Sequence, residues 1–484
     1  MELWLGVENF AKIQSAKVCI NKYSVLVGPN NSGKTFLMQL IQGMDKNWES
    51  LLNGEPVEIV LSSKESTVQA SDESADRNEI YRLDAHYMEL FIDAINKNLF
   101  KEKENIVKRI FGREISIGNL FIEFTPDEHC DYLIESICTP EQLKEKSYFP
   151  DREDNEIKSV LNHALLKFPN EVTIYIISQY NQETKKRKYL YARISPVANP
   201  SASMDCFKAL LSWLFRADSL FLPASRTGLL MLYKDFFANK ADLSMGFRIG
   251  VSPLNGNERE NRELTLPVYE FIRFLQTFAE NEEHTEMWKK ELLFFEQNVI
   301  EGHITASQQG NFLYSPQDEK RDIPLFLASS MVNEVAPIGL ALISHSNHRQ
   351  FIIDEIEASL HPEKQTELVR FLNRIWNRGI SLILSTHSDT FVSRLNNLYI
   401  ISANYPEHFP PDMLQKLGLE KEDLIDVKGL FVYEFVRQAN GKSIVKQVRG
   451  DSKKGFVFDL FMGTAMKLFN ESTILEEGLN GGKA

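Results

Sequence analysis

GPNNSGKT runs from Gly28 to Thr35, directly after the apolar segment Tyr23 to Val27 and before Phe36 to Leu52, whose spacing of apolar residues predicts a helix. It fits G-x-x-x-x-G-K-[ST] at every fixed position, the pattern of a loop that wraps phosphate between a strand and a helix. Glycines let the backbone approach the anion, and N–H groups at the helix start face it. In this pattern Gly28, Pro29, Asn30, Asn31, Ser32 and Gly33 form the cradle, Lys34 reaches the β and γ phosphates, Thr35 binds Mg²⁺, and Phe36 follows into the helix. ATP and Mg²⁺ are the implied cofactors. Several nucleotide-binding classes share this loop, so it names no machine by itself.

Two further segments narrow the choice. FIIDEIEASLHP, Phe351 to Pro362, reads as an apolar strand ending in adjacent carboxylates. Asp354 is expected to hold Mg²⁺, directly or through water. Glu355 is expected to orient the attacking water, a task for a carboxylate beside the metal rather than on it. LILSTHSDTF, Leu382 to Phe391, is another apolar strand, ending in a polar group that contains His387. A lone Asp-Glu pair or a lone histidine at a strand end is ordinarily structural; the order of the segments favours a site.

A phosphate loop, a strand ending in Asp-Glu with SLHP after it, and a strand ending in Thr-His-Ser resemble the heads of ABC-type ATPases, in particular the OLD-like and RecF/SMC-like branch. The resemblance covers about residues 1 to 52 and 320 to 470. It implies an α/β fold, a P-loop ABC/SMC-like ATPase head with a mixed sheet interrupted by an inserted helical arm. It also implies that His387 contacts the γ-phosphate, that Ala358 to Pro362 faces a partner subunit, and that two protomers sandwich ATP. The segment that closes on the partner's nucleotide in such heads would fall in LASSMVNEVAP, Leu327 to Pro337, with Ser329 and Ser330 as the trans-acting residues. Met331 and Val332 stand there in place of the usual glycines; a serine-capped helix is the competing reading. Arg226, in FLPASRTGL, is expected to approach the nucleotide, to hold the base of the arm, or to form a surface salt bridge.

OLD nucleases carry a metal-dependent nuclease domain after the ATPase. Fewer than a hundred residues follow His387, read as strands Leu398 to Ser402, Leu430 to Arg437 and Ser443 to Val448 and a helix Phe456 to Phe469, without a D-x-D pair. The resemblance then points to ATPase subunits of bacterial anti-phage systems such as Septu and PARIS. It implies a switch that forms a homodimer or higher homo-oligomer around ATP and controls a separate effector, a nuclease, with no nuclease of its own. The alternative is a DNA-repair or recombination ATPase that clamps DNA directly.

Composition sets the outer limits. The chain has 484 residues, 43% hydrophobic and 25% charged, enough for a large core in an ordinary globular protein. Its 54 basic and 67 acidic residues give a net charge of −13, which opposes a general coat of phosphate-backbone contacts. The sharpest basic cluster, Lys185, Lys186, Arg187 and Lys188, falls at the tip of an expected hairpin and reads either as a nucleic-acid contact or as a solvated turn. Cys19, Cys130, Cys138 and Cys206 have no metal-ligand spacing. The start of the chain lacks a basic leader, and no stretch is long and apolar enough for a membrane span, so a cytoplasmic location without membrane contact is expected. The expected organisation is residues 1–227 as the first part of the head, 228–322 as the arm, and 323–484 as the second part.

Overall fold

The computed structural model describes residues 1–46, 79–83, 85–137, 173–195, 209–215, 218–233, 264–306, 311–318, 321–458, 467 and 469–475. Strands β1 (Glu2–Phe10), β2 (Ile13–Cys19) and β3 (Tyr23–Val27) lead into helix α1 (Lys34–Lys46). Next come β4 (Glu79–Leu83), α2 (Ala85–Phe111), β5 (Asn119–Thr125), β6 (Cys130–Ile137), β7 (Thr173–Asn181), β8 (Arg187–Ser195) and β9 (Ser219–Leu222). Helices α3 (Leu266–Gln276), α4 (Glu282–Met287) and α5 (Lys289–Phe294) continue into a π-helical turn, Phe295–Ile300, and then β10 (Gly302–Ala306), β11 (Phe312–Pro316) and β12 (Ile323–Pro324). The remainder is α6 (Ser330–Ile343), β13 (Gln350–Ile353), α7 (Pro362–Asn377), β14 (Ser381–Thr386), α8 (Asp389–Ala403), α9 (Pro411–Lys416), β15 (Leu430–Arg437) and β16 (Ser443–Val448).

The chain divides into two compact units, one of Met1–Leu5, Met44–Lys103 and Leu120–Ala217, the other of Gly6–Gly43, Glu104–Asn119 and Asp218–Ala484. The first contains an antiparallel sheet in the order β4-β6-β7-β8. Buried Trp213 packs on the rings of Phe124 and Tyr132, with centroids 6.0 and 5.5 Å away. The expected hairpin is β7 and β8. Lys185, Lys186 and Lys188 are exposed at its turn, while Arg187 donates through Nε to Ser178 Oγ at 2.8 Å.

In the second unit the sheet runs β2-β16-β15-β3-β14-β13-β9. From β15 to β9 the neighbours are parallel, as the strand-helix alternation in the sequence requires. Every residue of β3, YSVLV, is buried, the composition of a strand covered on both faces. Registers pair Val27 with both Thr386 and Glu434, and Ile353 with both Leu384 and Leu222. The carboxyl ends of β3, β14, β13 and β9 therefore meet along one edge, where open α/β sheets bind ligands.

Residues 264–306, part of the expected arm, place Phe271, Leu275, Phe295 and Val299 in the same apolar cluster as Phe351 of β13 and Phe371 of α7. The Phe295 and Phe371 rings are 4.7 Å apart between centroids. Residues 302–322, read as part of the helical arm, hold strands β10 and β11, which pair antiparallel in the sheet β10-β11-β12. One expectation fails outright: Leu398 to Ser402 is not a strand but the end of α8. Ser388 caps that helix by accepting from the Phe391 N–H at 3.1 Å, and Phe391, Leu395, Leu398 and Ile401 form its buried helical stripe. A short apolar run satisfies either period; the upstream cap decided this one.

A buried ionic brace fastens α7. Asp423 receives Arg370 Nη2 at 2.8 Å and Arg374 Nε at 2.7 Å, and Arg374 also lies 3.9 Å over the Phe294 ring. Cys19 is buried and Cys130 half-buried, both as free thiols. Cys138, Cys206, most of the closing helix and the end of the helix after the phosphate loop lie outside the described residues. Among those described, no helix is long and apolar enough to cross a membrane.

Candidate nucleotide site

Backbone geometry makes the loop. Asn31 and Gly33 take φ of 58° and 104°, the left-handed turns that lift residues 28–33 away from β3 and return them into α1. A Cβ on Gly28 would lie 2.6 Å from Cβ of Phe435 on β15, and one on Gly33 would lie 2.7 Å from Ile13 Cγ1. Both glycines are thus fixed by close packing as well as by their place in the motif.

Lys34 turns back over this loop. Its Nζ donates to the carbonyls of Gly28 and Pro29, each at 3.0 Å, and to Ser32 Oγ at 3.4 Å. Burial pulls its pKa down to about 8, opposed by Asp354, Glu355 and Glu357. The ammonium is held on carbonyls that a phosphate oxygen can replace.

Thr35 and Asp354, 319 residues apart, meet directly, with Thr35 Oγ1 donating to Asp354 Oδ2 at 2.7 Å. Asp354 follows β13, is buried, and donates its N–H to the Leu222 carbonyl at 2.9 Å. Its second oxygen accepts from Ser385 Oγ at 2.5 Å, and Ser385 Oγ accepts in turn from the Glu355 N–H at 2.8 Å. Ser385 was not singled out from sequence. A fully buried serine in an apolar strand must find a partner, but the pattern does not tell which serine is buried.

Glu355 sits at φ 48° beside this junction. Burial, then Asp354 and Glu357, raise its pKa, while Lys34 and Arg226 pull the other way. Glu357 is a second residue missed from sequence: its Oε1 accepts from the His387 N–H at 2.5 Å, and its Oε2 is buried without a hydrogen bond. His387 lies at the end of β14, its pKa lowered by burial and by Lys34, which favours the neutral ring. The structure therefore brings Lys34, Thr35, Asp354, Glu355 and His387 together.

Of the three places expected for Arg226, the surface salt bridge fails. The arginine side chain is fully buried, paired with Glu334 Oε2 at 3.1 Å, and bonded through Nη1 to the Asp354 carbonyl at 2.8 Å and through Nη2 to that of Glu355 at 3.2 Å. Ser329 and Ser330 are exposed at the start of α6. Ser329 Oγ accepts from the Val332 N–H at 3.3 Å, the capping arrangement; among the hydrogen bonds of the described residues, none joins either serine to residues 28–35. Phe326 and Leu327 beside them are 48% and 64% exposed.

The residues fit ATP and Mg²⁺. A threonine hydroxyl and a carboxylate are hard oxygen donors of the kind Mg²⁺ takes alongside phosphate. Here they bond to each other, and Lys34 bonds to its own loop, contacts that a cation and a phosphate replace in kind. Carboxylates of Asp354, Glu355 and Glu357 outnumber the single ammonium among them, so a cation improves the charge balance.

A family model described as an AAA ATPase domain matches residues 4–209, and one described as an AAA domain, putative AbiEii toxin, Type IV TA system, matches residues 267–393. No curated protein matches the chain. Similar solved structures include an SMC head bound to the C-winged helix domain of ScpA, 11% identical, covering 92% of this chain and 96% of that one, with a TM-score of 0.33. The SMC head domain from Thermotoga maritima is 12% identical over 93% of this chain and 100% of its own, with a TM-score of 0.31. An Smc head domain with an extended coiled coil, bound to the C-terminal domain of ScpA derived from Pyrococcus furiosus, is 10% identical over 97% and 98%, with a TM-score of 0.32. The loop and the carboxylate edge belong to a mixed α/β fold with a phosphate-binding loop, and the two domain matches are to AAA ATPase domains.

Proposed function

We propose that this P-loop ATPase is an ATP-driven switch that forms a homodimer or higher homo-oligomer around nucleotide and controls a separate effector, a nuclease, in bacterial anti-phage defence. The junction of Thr35, Asp354, Ser385 and Glu355 carries the reading. It puts a cation-holding pair next to a carboxylate with a raised pKa. Bound Mg²⁺ and ATP supply a γ-phosphate whose charge is partly neutralised. Lys34 exchanges loop carbonyls for phosphate oxygens, while Thr35 and Asp354 hold the cation. Glu355 orients water toward the phosphorus, and the neutral His387 ring donates to a γ-phosphate oxygen.

The exposed serines at the start of α6, flanked by exposed Phe326 and Leu327, supply the surface that closes on the nucleotide of a second copy. Hydrolysis then loosens that contact and reports to the effector. The description of a putative toxin in a toxin–antitoxin system, matched over residues 267–393, supports a chain that works with a second component. Mass measurement of the Glu355→Gln protein with and without ATP tests the switch: ATP-dependent assembly is expected, and an invariant monomer overturns it.

The exposed lysines at the β7–β8 turn favour a second reading, a repair or recombination ATPase that clamps DNA. Duplex binding that weakens steeply with salt and is lost on replacing Lys185, Lys186 and Lys188 selects it over the first.

A further inference from the structure

Arg226 is a buried cation with more partners than a structural ion pair needs. Its backbone N–H and that of Thr227 donate to the two oxygens of Glu334, at 3.2 and 3.1 Å. Its Nε donates to the Glu334 carbonyl at 2.5 Å, and Nη1 reaches the Pro223 and Asp354 carbonyls at 3.3 and 2.8 Å. Nη2 reaches the carbonyl of Glu355 at 3.2 Å. One planar guanidinium thus joins the loop after β9, helix α6 and the end of β13, with a rigid donor fork that an ammonium cannot reproduce.

The place it holds is strained. Glu355 is a non-glycine residue at φ 48°, a conformation retained where the surroundings impose it. Its N–H is fixed from β14 by Ser385 and its carbonyl by Arg226. Glu334 lies one helical turn beyond Ser330, whose carbonyl accepts from Thr227 Oγ1 at 3.4 Å. A shift of the exposed helix start therefore has a continuous polar route to the Glu355 peptide.

We propose that Arg226 and Glu334 form a positioning pair that fixes the backbone of Glu355 and ties it to the start of α6, so that the water-orienting carboxylate is set by the surface bearing Ser329 and Ser330. This rests on the reading of Glu355 given above. The competing account is a buried ion pair that only holds the fold.

Arg226→Lys keeps the charge and removes the fork; Glu334→Gln keeps the size and one acceptor oxygen while removing the countercharge. The expected result for both is a fall in kcat of about 10- to 100-fold, the cost of misplacing a reacting group, with ATP affinity changed by less than about twofold. Phe371→Leu, a core truncation in α7, provides a destabilised control that keeps its kcat. The proposal is overturned if kcat stays within about twofold of wild type in both variants, or if it falls only in step with ATP affinity or with the loss of melting temperature seen in the control. Should Arg226→Lys not fold, Glu334→Gln decides alone. Wild-type hydrolysis by Glu355→Gln would instead remove the reading of Glu355, a result separable from failure of the positioning pair.

Discussion

Two clusters of buried charge lie in the second unit, and their accounts of charge differ. Around Asp423 the carboxylate is fully engaged: Arg370 donates through Nε and Nη2 at 3.0 and 2.8 Å, Arg374 through Nε at 2.7 Å, and the Glu420 N–H at 2.9 Å. Burial alone would raise Asp423, but Arg374 and Arg370 outweigh it and hold the carboxyl below its ordinary value. Around Lys34 the opposite holds. Acidic groups crowd one ammonium, Glu355 is pushed up, and Glu357 Oε2 has no hydrogen bond. A carboxylate held by two arginines braces the fold, whereas a site with more carboxylates than cations is arranged for something it does not itself contain.

Substitutions can break this contrast. The largest expected effect is on turnover: Glu355→Gln should lower ATP hydrolysis by about 10²- to 10⁴-fold while leaving ATP binding intact, read by phosphate release and nucleotide titration. Unchanged hydrolysis would strip Glu355 of its proposed role. Asp423→Asn should destabilise the protein by about 3 to 5 kcal/mol without touching ATP affinity, because it leaves two arginines poorly paired. The sign with pH follows from the depressed pKa. Asp423 contributes fully above the ordinary value of 3.8, and the contribution is lost as pH falls through the lower folded value. Thermal melts should therefore show the gap between wild type and Asp423→Asn narrowing in acid below pH about 4.

Lys34→Ala should weaken ATP binding by at least about 2 kcal/mol, near 30-fold, with little loss of thermal stability, since its present partners are carbonyls and a hydroxyl of its own loop rather than another element of the fold. A large drop in melting temperature instead would class Lys34 with the brace. The smallest effect belongs to the start of α6, where Ser329→Ala should cost about 1 kcal/mol through the lost cap. If ATP-dependent assembly weakens by clearly more than that, the serine meets a partner as well as its own helix.

The same contrast explains what could be read from sequence. The phosphate loop and the bounds of β3, β15 and β16 were legible because each is local, an apolar run between turn or cap signals. Lys34, Thr35, Asp354, Glu355 and His387 stand in such segments, and the parallel registers gather their ends. For Arg226 three places stayed open: its partners lie 108 and 128 residues away, and nothing local says that a guanidinium is fully buried. Ser385 and Glu357 were hidden for the same reason, their value lying in a junction between strands. In α8 the failure was of another kind, since Leu398 to Ser402 satisfies two periods and only the Ser388 cap separates them.

The central position of β3 has a consequence for the making of this protein. Its two sheet neighbours are β14 and β15, encoded more than 350 residues later. At roughly 5 to 20 residues per second, the apolar segment Tyr23–Val27 leaves the ribosome about 20 to 70 s before either neighbour exists. During that interval it is a bare, aggregation-prone edge, a natural client for a holding chaperone, and the nucleotide site cannot form on a nascent chain however early its loop is made.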